Sequence, residues 1–452
     1  VRANRYLSNS RDTEWLSILK EERDMKNWKL LLAMIAVVVL VVACSGGGGT
    51  APQASSSAAA SKGEVMLGAI NDLTGATSDV GKDYALGIQE SLKWINENGG
   101  INGKTIKFSQ YDYGYRVPEA QTIYKRFRDF DKVVAVLGWG TGDTSALSPT
   151  VNQDKMPYVS ASYAGELTDA SKTPYNLFSA PDYSTSARAA LTVWYDEIWM
   201  KDARYEAERK SGAKPRLMAF YQKSSPYPSA PIKALKEQAA LLGFEVGADQ
   251  DVSLTALDTK SQVLAAKDFK PHVIWHGDTT NAVATALKDA KALGLVADHL
   301  VNTYGFDENL PKLAGDAAEG VIGIGVAAFY GESVKGMDTV IESAKKYNPN
   351  TPQDTRLIHT VKAWANVLVL REALIRADKA GNLTGEGIRT AFEQLKDFDV
   401  GLGVSPVTYT ATDHRPTSQV RIYRIKGGKF GLLNTIDMKA KYPNDWPKWV
   451  GY

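Results

Sequence analysis

Between residues 65 and 303 short apolar runs alternate with segments of helical period, and this alternation restricts the chain to one architectural class. Strands are expected over 65–70, 105–111, 133–137 and 158–161, with helices over 83–98 and 118–130. After an irregular stretch over 178–182 the alternation restarts. Helices are expected over 184–199, 230–242, 259–268 and 281–293, and strands over 216–221, 244–248, 272–276 and 300–303. Repeated βα order of this kind builds mostly parallel sheets covered on both faces, and two such sheets side by side is the economical reading of the length. Later segments add a strand over 321–327, a long amphipathic helix over 351–377 and a helix over 385–395. Two last strands, 406–412 and 420–425, face each other across a loop, with the Gly427-Gly428 turn after them.

The first 62 residues have a different composition. Met25-Lys26-Asn27-Trp28-Lys29 is a short basic segment, and an unbroken apolar run follows from Leu30 to Ala43. That run is short for a bilayer span and suits the hydrophobic region of a secretory signal over 25–43. It ends in Val41-Val42-Ala43-Cys44, which resembles a lipobox, and Cys44 is the chain's sole cysteine. A lone cysteine has no intrachain disulfide partner, so lipidation is the expected role of Cys44, with a chance cysteine behind an uncleaved anchor as the alternative. Either places the body outside the cytoplasmic membrane. Residues 1–24 read as an upstream extension, and the Gly/Ser/Ala-rich 44–62 as a flexible tether. The formal charge of +2 lies entirely within residues 1–43, which leaves a neutral body and argues against a nucleic-acid partner.

Residues 133–168 carry the strongest sign of a ligand cleft. A buried strand runs into Gly138-Trp139-Gly140-Thr141-Gly142-Asp143, a helix follows, and the next strand ends in Ser162-Tyr163. Glycines permit close backbone approach, and a helix start offers unpaired N–H donors.

Five segments in order resemble the solute-binding proteins of branched-chain amino acid (Leu/Ile/Val-binding) type ABC transporters. They are Gly68-Ala69-Ile70-Asn71-Asp72-Leu73-Thr74-Gly75, Ile95-Asn96-Glu97-Asn98-Gly99-Gly100-Ile101-Asn102-Gly103, Asp131-Lys132-Val133-Val134-Ala135-Val136-Leu137-Gly138, Leu313-Ala314-Gly315-Asp316-Ala317-Ala318-Glu319-Gly320 and Gly427-Gly428-Lys429-Phe430. The resemblance implies an α/β fold of type I periplasmic-binding-protein kind: two Rossmann-like lobes with parallel sheets, joined by a three-strand hinge. Its crossings fall near Asp182, Gly325 and Pro406, so lobe 1 is expected over 63–182 plus 326–405 and lobe 2 over 183–325 plus 406–452. It further implies a monomeric, lipid-anchored, extracytoplasmic protein that captures a small-molecule solute by hinge closure and delivers it to an ABC permease and its ATPase, with no cofactor.

The resemblance also locates the ligand contacts, and several depart from the family's amino acid scheme. The serine that meets a ligand carboxylate corresponds to Gly142 or Asp143, and the threonine of the next loop to Tyr163. The first-loop tyrosine corresponds to Val80. Tyr304 stands where an ammonium-pairing glutamate is usual. Tyr227 is retained, and the tyrosine after it is replaced by Asp278. The expected ligand-binding set is therefore Thr74, Trp139, Thr141, Gly142, Asp143, Thr144, Ser162, Tyr163, Tyr227, Asp278 and Tyr304. Such a set suits a solute with a flat or cationic portion, because aromatic faces attract cations. Asp143 and Asp278 each stand beside an expected helix start, so helix capping and ligand pairing remain open for both. Trp139 reads equally as a core aromatic.

Enzyme chemistry finds little support. The five histidines have no metal-ligand spacing, no G-x-S-x-G elbow occurs, and Gly138-Trp139-Gly140-Thr141-Gly142 lacks the spacing of a dinucleotide fingerprint. A ligand-sensing receptor or co-sensor with the same fold is the main alternative, and a periplasmic enzyme a weaker one.

Overall fold

The computed structural model describes residues 62–452. The upstream extension, the signal segment, Cys44 and the tether up to residue 61 lie outside the described residues.

The first sheet takes β1 (Glu64–Asn71), β2 (Thr105–Asp112), β3 (Ala135–Gly138), β4 (Tyr158–Ser160) and β5 (Asn176–Leu177), in the spatial order β2-β1-β3-β4-β5. Every neighbouring pair is parallel. Crossovers between parallel strands are usually helices, and three of them here are α1 (Ser78–Glu97), α2 (Val117–Arg126) and α3 (Thr141–Gln153). The inner residues of β1 and β3 are fully buried, as a sheet covered on both faces demands.

After α4 (Tyr183–Trp194) the second sheet is built from β6 (Arg216–Tyr221), β7 (Glu245–Val246), β8 (Gln250–Asp251), β9 (Val273–His276), β10 (Asp298–Val301) and β11 (Ile322–Gly325). The chain returns to it at the end with β12 (Gln419–Lys426) and β13 (Lys429–Asp437). The order is β13-β12-β11-β10-β9-β6-β7, with β8 also on β6. β6 to β11 pair in parallel, whereas β12 joins β11, and β13 joins β12, antiparallel. The helices α5 (Ile232–Leu241), α6 (Lys260–Phe269) and α7 (Thr280–Ala292) complete its βα units, and α8 (Asn309–Ala314) follows β10. Between β11 and β12 the chain crosses back to the first sheet's helices with α9 (Met337–Tyr347), α10 (Ile358–Lys379) and α11 (Gly385–Glu393); α9 and α10 pack on α1. The fold is thus the expected two-lobed α/β arrangement, each lobe with its own sheet.

Several expected elements are corrected. The segment 406–412 is no strand: it contributes a single bridge, Val407 to Phe398, and the partner of β12 is β13, folded back across the Gly427-Gly428 turn. The long helix begins at Ile358 rather than 351, after a short 3-10 turn at Gln353–Thr355. Its start is fixed by acceptors from elsewhere: Asp83 takes the N–H groups of Leu357 and Thr360 at 3.2 and 2.7 Å, and Glu308 takes that of Ile358 at 2.9 Å. Nor is it amphipathic, since nearly every residue from Ile358 to Leu370 is buried. The first helix starts at Ser78 instead of 83, and α9 was not expected at all. Among the described residues no helix is long and apolar enough to cross a membrane.

Candidate functional site

Loops at the C-terminal ends of the parallel strands of both sheets meet around a small cavity. This is where ligand sites form in open α/β sheets. The first sheet contributes Thr77 and Val80 near the start of α1, Tyr115 after β2, Trp139, Gly140 and Thr141 after β3, and Ala161 after β4. The other side is Tyr183 at the first residue of α4, Tyr227 in the helical turn Pro226–Ser229, Thr279 before α7, and Tyr304 after β10.

Trp139 is fixed by a chain of hydrogen bonds. Its indole Nε1 donates to Thr77 Oγ1 at 2.9 Å, and Thr77 donates its hydroxyl and its backbone N–H to Asp72 Oδ2, both at 2.8 Å. Tyr304 spans the cavity: its hydroxyl donates to the Ala161 carbonyl of the opposite lobe at 2.7 Å, and its N–H donates to Tyr227 Oη at 3.1 Å. The Tyr183 hydroxyl donates to the same Ala161 carbonyl at 3.2 Å. Behind Tyr304, on α10 of lobe 1, the His359 ring stacks on it at 5.4 Å and the Lys362 ammonium lies 4.2 Å from its centroid. Lys362 donates to the Thr303 carbonyl at 2.8 Å, and burial pulls its pKa down to about 7. His359 is paired with Asp307 at 2.9 Å, yet burial, with Lys362 beside it, holds its own pKa down to about 4.

Of the other residues expected at the site, Thr144 returns its hydroxyl to Gly140 O at 2.6 Å, and Ser162 donates to Thr141 Oγ1 at 3.0 Å. Tyr163 lies one layer out, stacked on Tyr304 at 5.8 Å. Gly142 faces the far lobe, where a side chain would meet Pro226 Cγ at 3.2 Å. Thr74 is exposed and donates to Asp112 at 2.6 Å, away from the cavity.

Neither aspartate caps its helix by the N-cap bond. The N-cap of α3 is Gly140 and that of α7 is Thr279, and no side chain caps either helix from within its own sequence. Asp143, in the first turn of α3, accepts from the Tyr113 hydroxyl at 2.7 Å, and the Tyr158 hydroxyl lies beside its carboxyl group. Burial raises its pKa to about 7. Asp278 accepts from the Gln222 N–H at 3.0 Å and is raised to about 8 by burial. Thr279 Oγ1, on the cavity wall, is buried beside the Asp79 carboxyl group.

The structure thus brings Trp139, Thr141, Tyr227 and Tyr304 onto the wall and sets Asp143, Asp278, Ser162 and Tyr163 just behind or beside it. It adds Thr77, Tyr115, Gly140, Ala161, Tyr183 and Thr279. Tyr115 had one legible signal, an aromatic following Gly114 at a strand end; its φ of 56° turns the ring inward from a left-handed backbone. No charged side chain lines the cavity, and among the described residues no group of three or more His, Cys, Asp or Glu is placed to hold a metal ion.

Comparison with known proteins places this arrangement. The model of a family described as periplasmic binding protein matches residues 64–429. An ABC transporter substrate-binding protein from Aeropyrum pernix is 30% identical with a TM-score of 0.75, over 86% of this chain and 98% of that one. A branched chain amino acid ABC transporter protein from Thermus thermophilus, solved with bound valine, shares the fold at a TM-score of 0.76 and 23% identity, over 84% of this chain and 99% of its own. A curated relative from Pseudomonas aeruginosa named amino acid binding protein is 35% identical over 75 residues, 17% of this chain and 20% of the relative's length. The chain belongs to the periplasmic binding protein family.

Proposed function

We propose that the protein is the extracytoplasmic solute-binding component of an ABC importer, which captures a small organic solute between its lobes and delivers it to a permease. The observation that carries this reading is the hydrogen bond from the Tyr304 hydroxyl to the Ala161 carbonyl, which closes one lobe on the other across the cavity. A solute that touches both walls stabilises the closed arrangement by its differential affinity for it. The lobes proposed are 63–182 with 326–405 and 183–325 with 406–452, and the ligand contacts are those on the wall. A lipid on Cys44 would hold the protein at the membrane, and the protein acts as a monomer without chemistry of its own. The Aeropyrum pernix relative's role in ABC transport supports the partner assignment.

The test is a thermal-shift screen of the purified protein against a metabolite library, followed by small-angle scattering with each hit. A ligand at about 100 times its dissociation constant stabilises by about 2.7 kcal/mol. The expected result is a hit that also compacts the protein. No hit, or hits without compaction, overturns the reading.

A further inference from the structure

The walls of the cavity have an unusual mutual geometry. Trp139, Tyr304, Tyr227 and Tyr183 follow one another around it, with successive ring centroids 5.5, 5.4 and 5.4 Å apart and interplanar angles of 68°, 81° and 67°. Four rings set edge to face at near right angles form a box. Their polar atoms are largely occupied by the protein: the Trp139 N–H goes to Thr77, and the Tyr304 and Tyr183 hydroxyls both go to Ala161 O. What remains toward the cavity is aromatic surface, with the Thr279 hydroxyl, which lies beside the Asp79 carboxyl group, as a polar point on the wall.

Behind this box stand carboxylates. Asp72 is one hydrogen bond beyond Thr77, Asp278 adjoins Thr279, and Asp143 lies in the turn begun by Thr141. Among the described residues no ion pair engages Asp143 or Asp278, and burial is what raises both pKa values. The Lys362 ammonium, 4.2 Å from the Tyr304 centroid and behind the box, donates to the Thr303 carbonyl.

An anionic solute would be buried against these acidic groups. A primary ammonium needs hydrogen-bond acceptors that the box does not converge on it. A positive charge spread over alkyl groups needs neither, and is attracted by ring faces and by the carboxylates behind them. Resting on the solute-binding reading above, we propose that the cavity takes a small organic cation whose charge sits on an alkylated nitrogen, caged by Trp139, Tyr304, Tyr227 and Tyr183.

Isothermal titration calorimetry on the purified protein tests this with tetramethylammonium, choline, the neutral isostere of choline in which carbon replaces nitrogen, valine and benzoate. The expected result is that choline or tetramethylammonium binds at least about tenfold more tightly than the isostere. Tyr227→Phe, which keeps the ring, should preserve that preference, and Tyr227→Leu, checked for folding by circular dichroism, should lose most of it. Equal binding of cation and isostere overturns the proposal. Binding of valine, benzoate or another metabolite with neither cation bound also overturns it and leaves the solute-binding function standing. Failure of these probes and of the whole metabolite library overturns both.

Discussion

The carboxylate of Asp79, in the first turn of α1 in lobe 1, accepts a hydrogen bond at 3.3 Å from the backbone N–H of Asn281, in the first turn of α7 in lobe 2. The N-cap of α7, Thr279, makes no such bond to its own helix, so a helix start in one lobe is served by an acid from the other.

That bond makes closure sensitive to pH at Asp79. Burial outweighs the help from Asn281 and raises its pKa to about 6, from an ordinary 3.8 that it would approach with the lobes apart. The closed form therefore takes up the proton more readily. The contribution of Asp79 to closure is full below about 3.8 and is lost as pH rises through about 6, a difference of at most about 3 kcal/mol. Asp79→Asn keeps an acceptor for the Asn281 N–H and removes the charge. The unliganded variant should be more compact than wild type by small-angle scattering near neutral pH, with the gap narrowing on acidification. A variant more open than wild type at neutral pH would refute this.

Tyr304→Phe keeps the ring and deletes the hydroxyl that reaches Ala161. The loss of one buried hydrogen bond should cost closure about 1 kcal/mol, a roughly fivefold rise in the dissociation constant of whichever solute binds. The melting temperature of the unliganded protein should change little. Calorimetric titration of both proteins decides it, and unchanged affinity would mean that the bond does not couple the lobes.

Gly140→Ala tests the tight packing beneath the start of α3. A Cβ there would lie 2.3 Å from Asp143 Oδ1 and 2.4 Å from the Tyr113 hydroxyl, both held by their mutual hydrogen bond. Overpacking of this kind costs about 1–3 kcal/mol. Chemical denaturation should show that loss together with weakened solute binding; a variant as stable as wild type would show that the Asp143 side chain yields freely.

A second pH effect belongs to the lobe 2 core, where His276 Nε2 and His299 Nδ1 lie 2.9 Å apart on adjacent strands. Burial holds His276 well below its usual range and His299 at about 4. Both stay neutral in the fold while the unfolded chain takes up protons near 6.5. Their contribution is full above about 6.5 and falls as pH drops from there toward about 4, by up to about 1.4 kcal/mol per pH unit for each ring. His299→Gln should flatten the fall of stability between about pH 6.5 and 5 in urea titrations. Parallel pH profiles for the two proteins would remove the pair as the cause.

The strands were legible because buried parallel strands read as continuous apolar runs, and β6 stands at the residues its apolar run marks. Helix starts were legible only where the cause is local. Ser78 to Lys82 looks polar in isolation, and helix begins there because Asp72 and Thr77 organise the preceding turn; the start of α10 depends on Asp83 and Glu308, remote in sequence. The 406–412 segment has strand composition, but the Gly427-Gly428 turn gives β12 an adjacent partner that costs far less loop entropy. At the site, Trp139 and Thr141 could be picked out because they follow a strand end closely, and Tyr227 and Tyr304 because the family resemblance aligns them with ligand contacts. Thr77, Tyr183 and Thr279 could not, since each looks like an ordinary residue at a helix start until the two lobes are brought together.

The walls around the cavity belong to two bodies, and the tyrosines that cover it are bonded across the divide rather than within a movable lid. A solute that bridges the two walls is released as the lobes part. Dissociation rates of strong and weak solutes should then converge on one ceiling, the opening rate of the protein, and a permease that pulls the lobes apart would release any cargo on the same schedule.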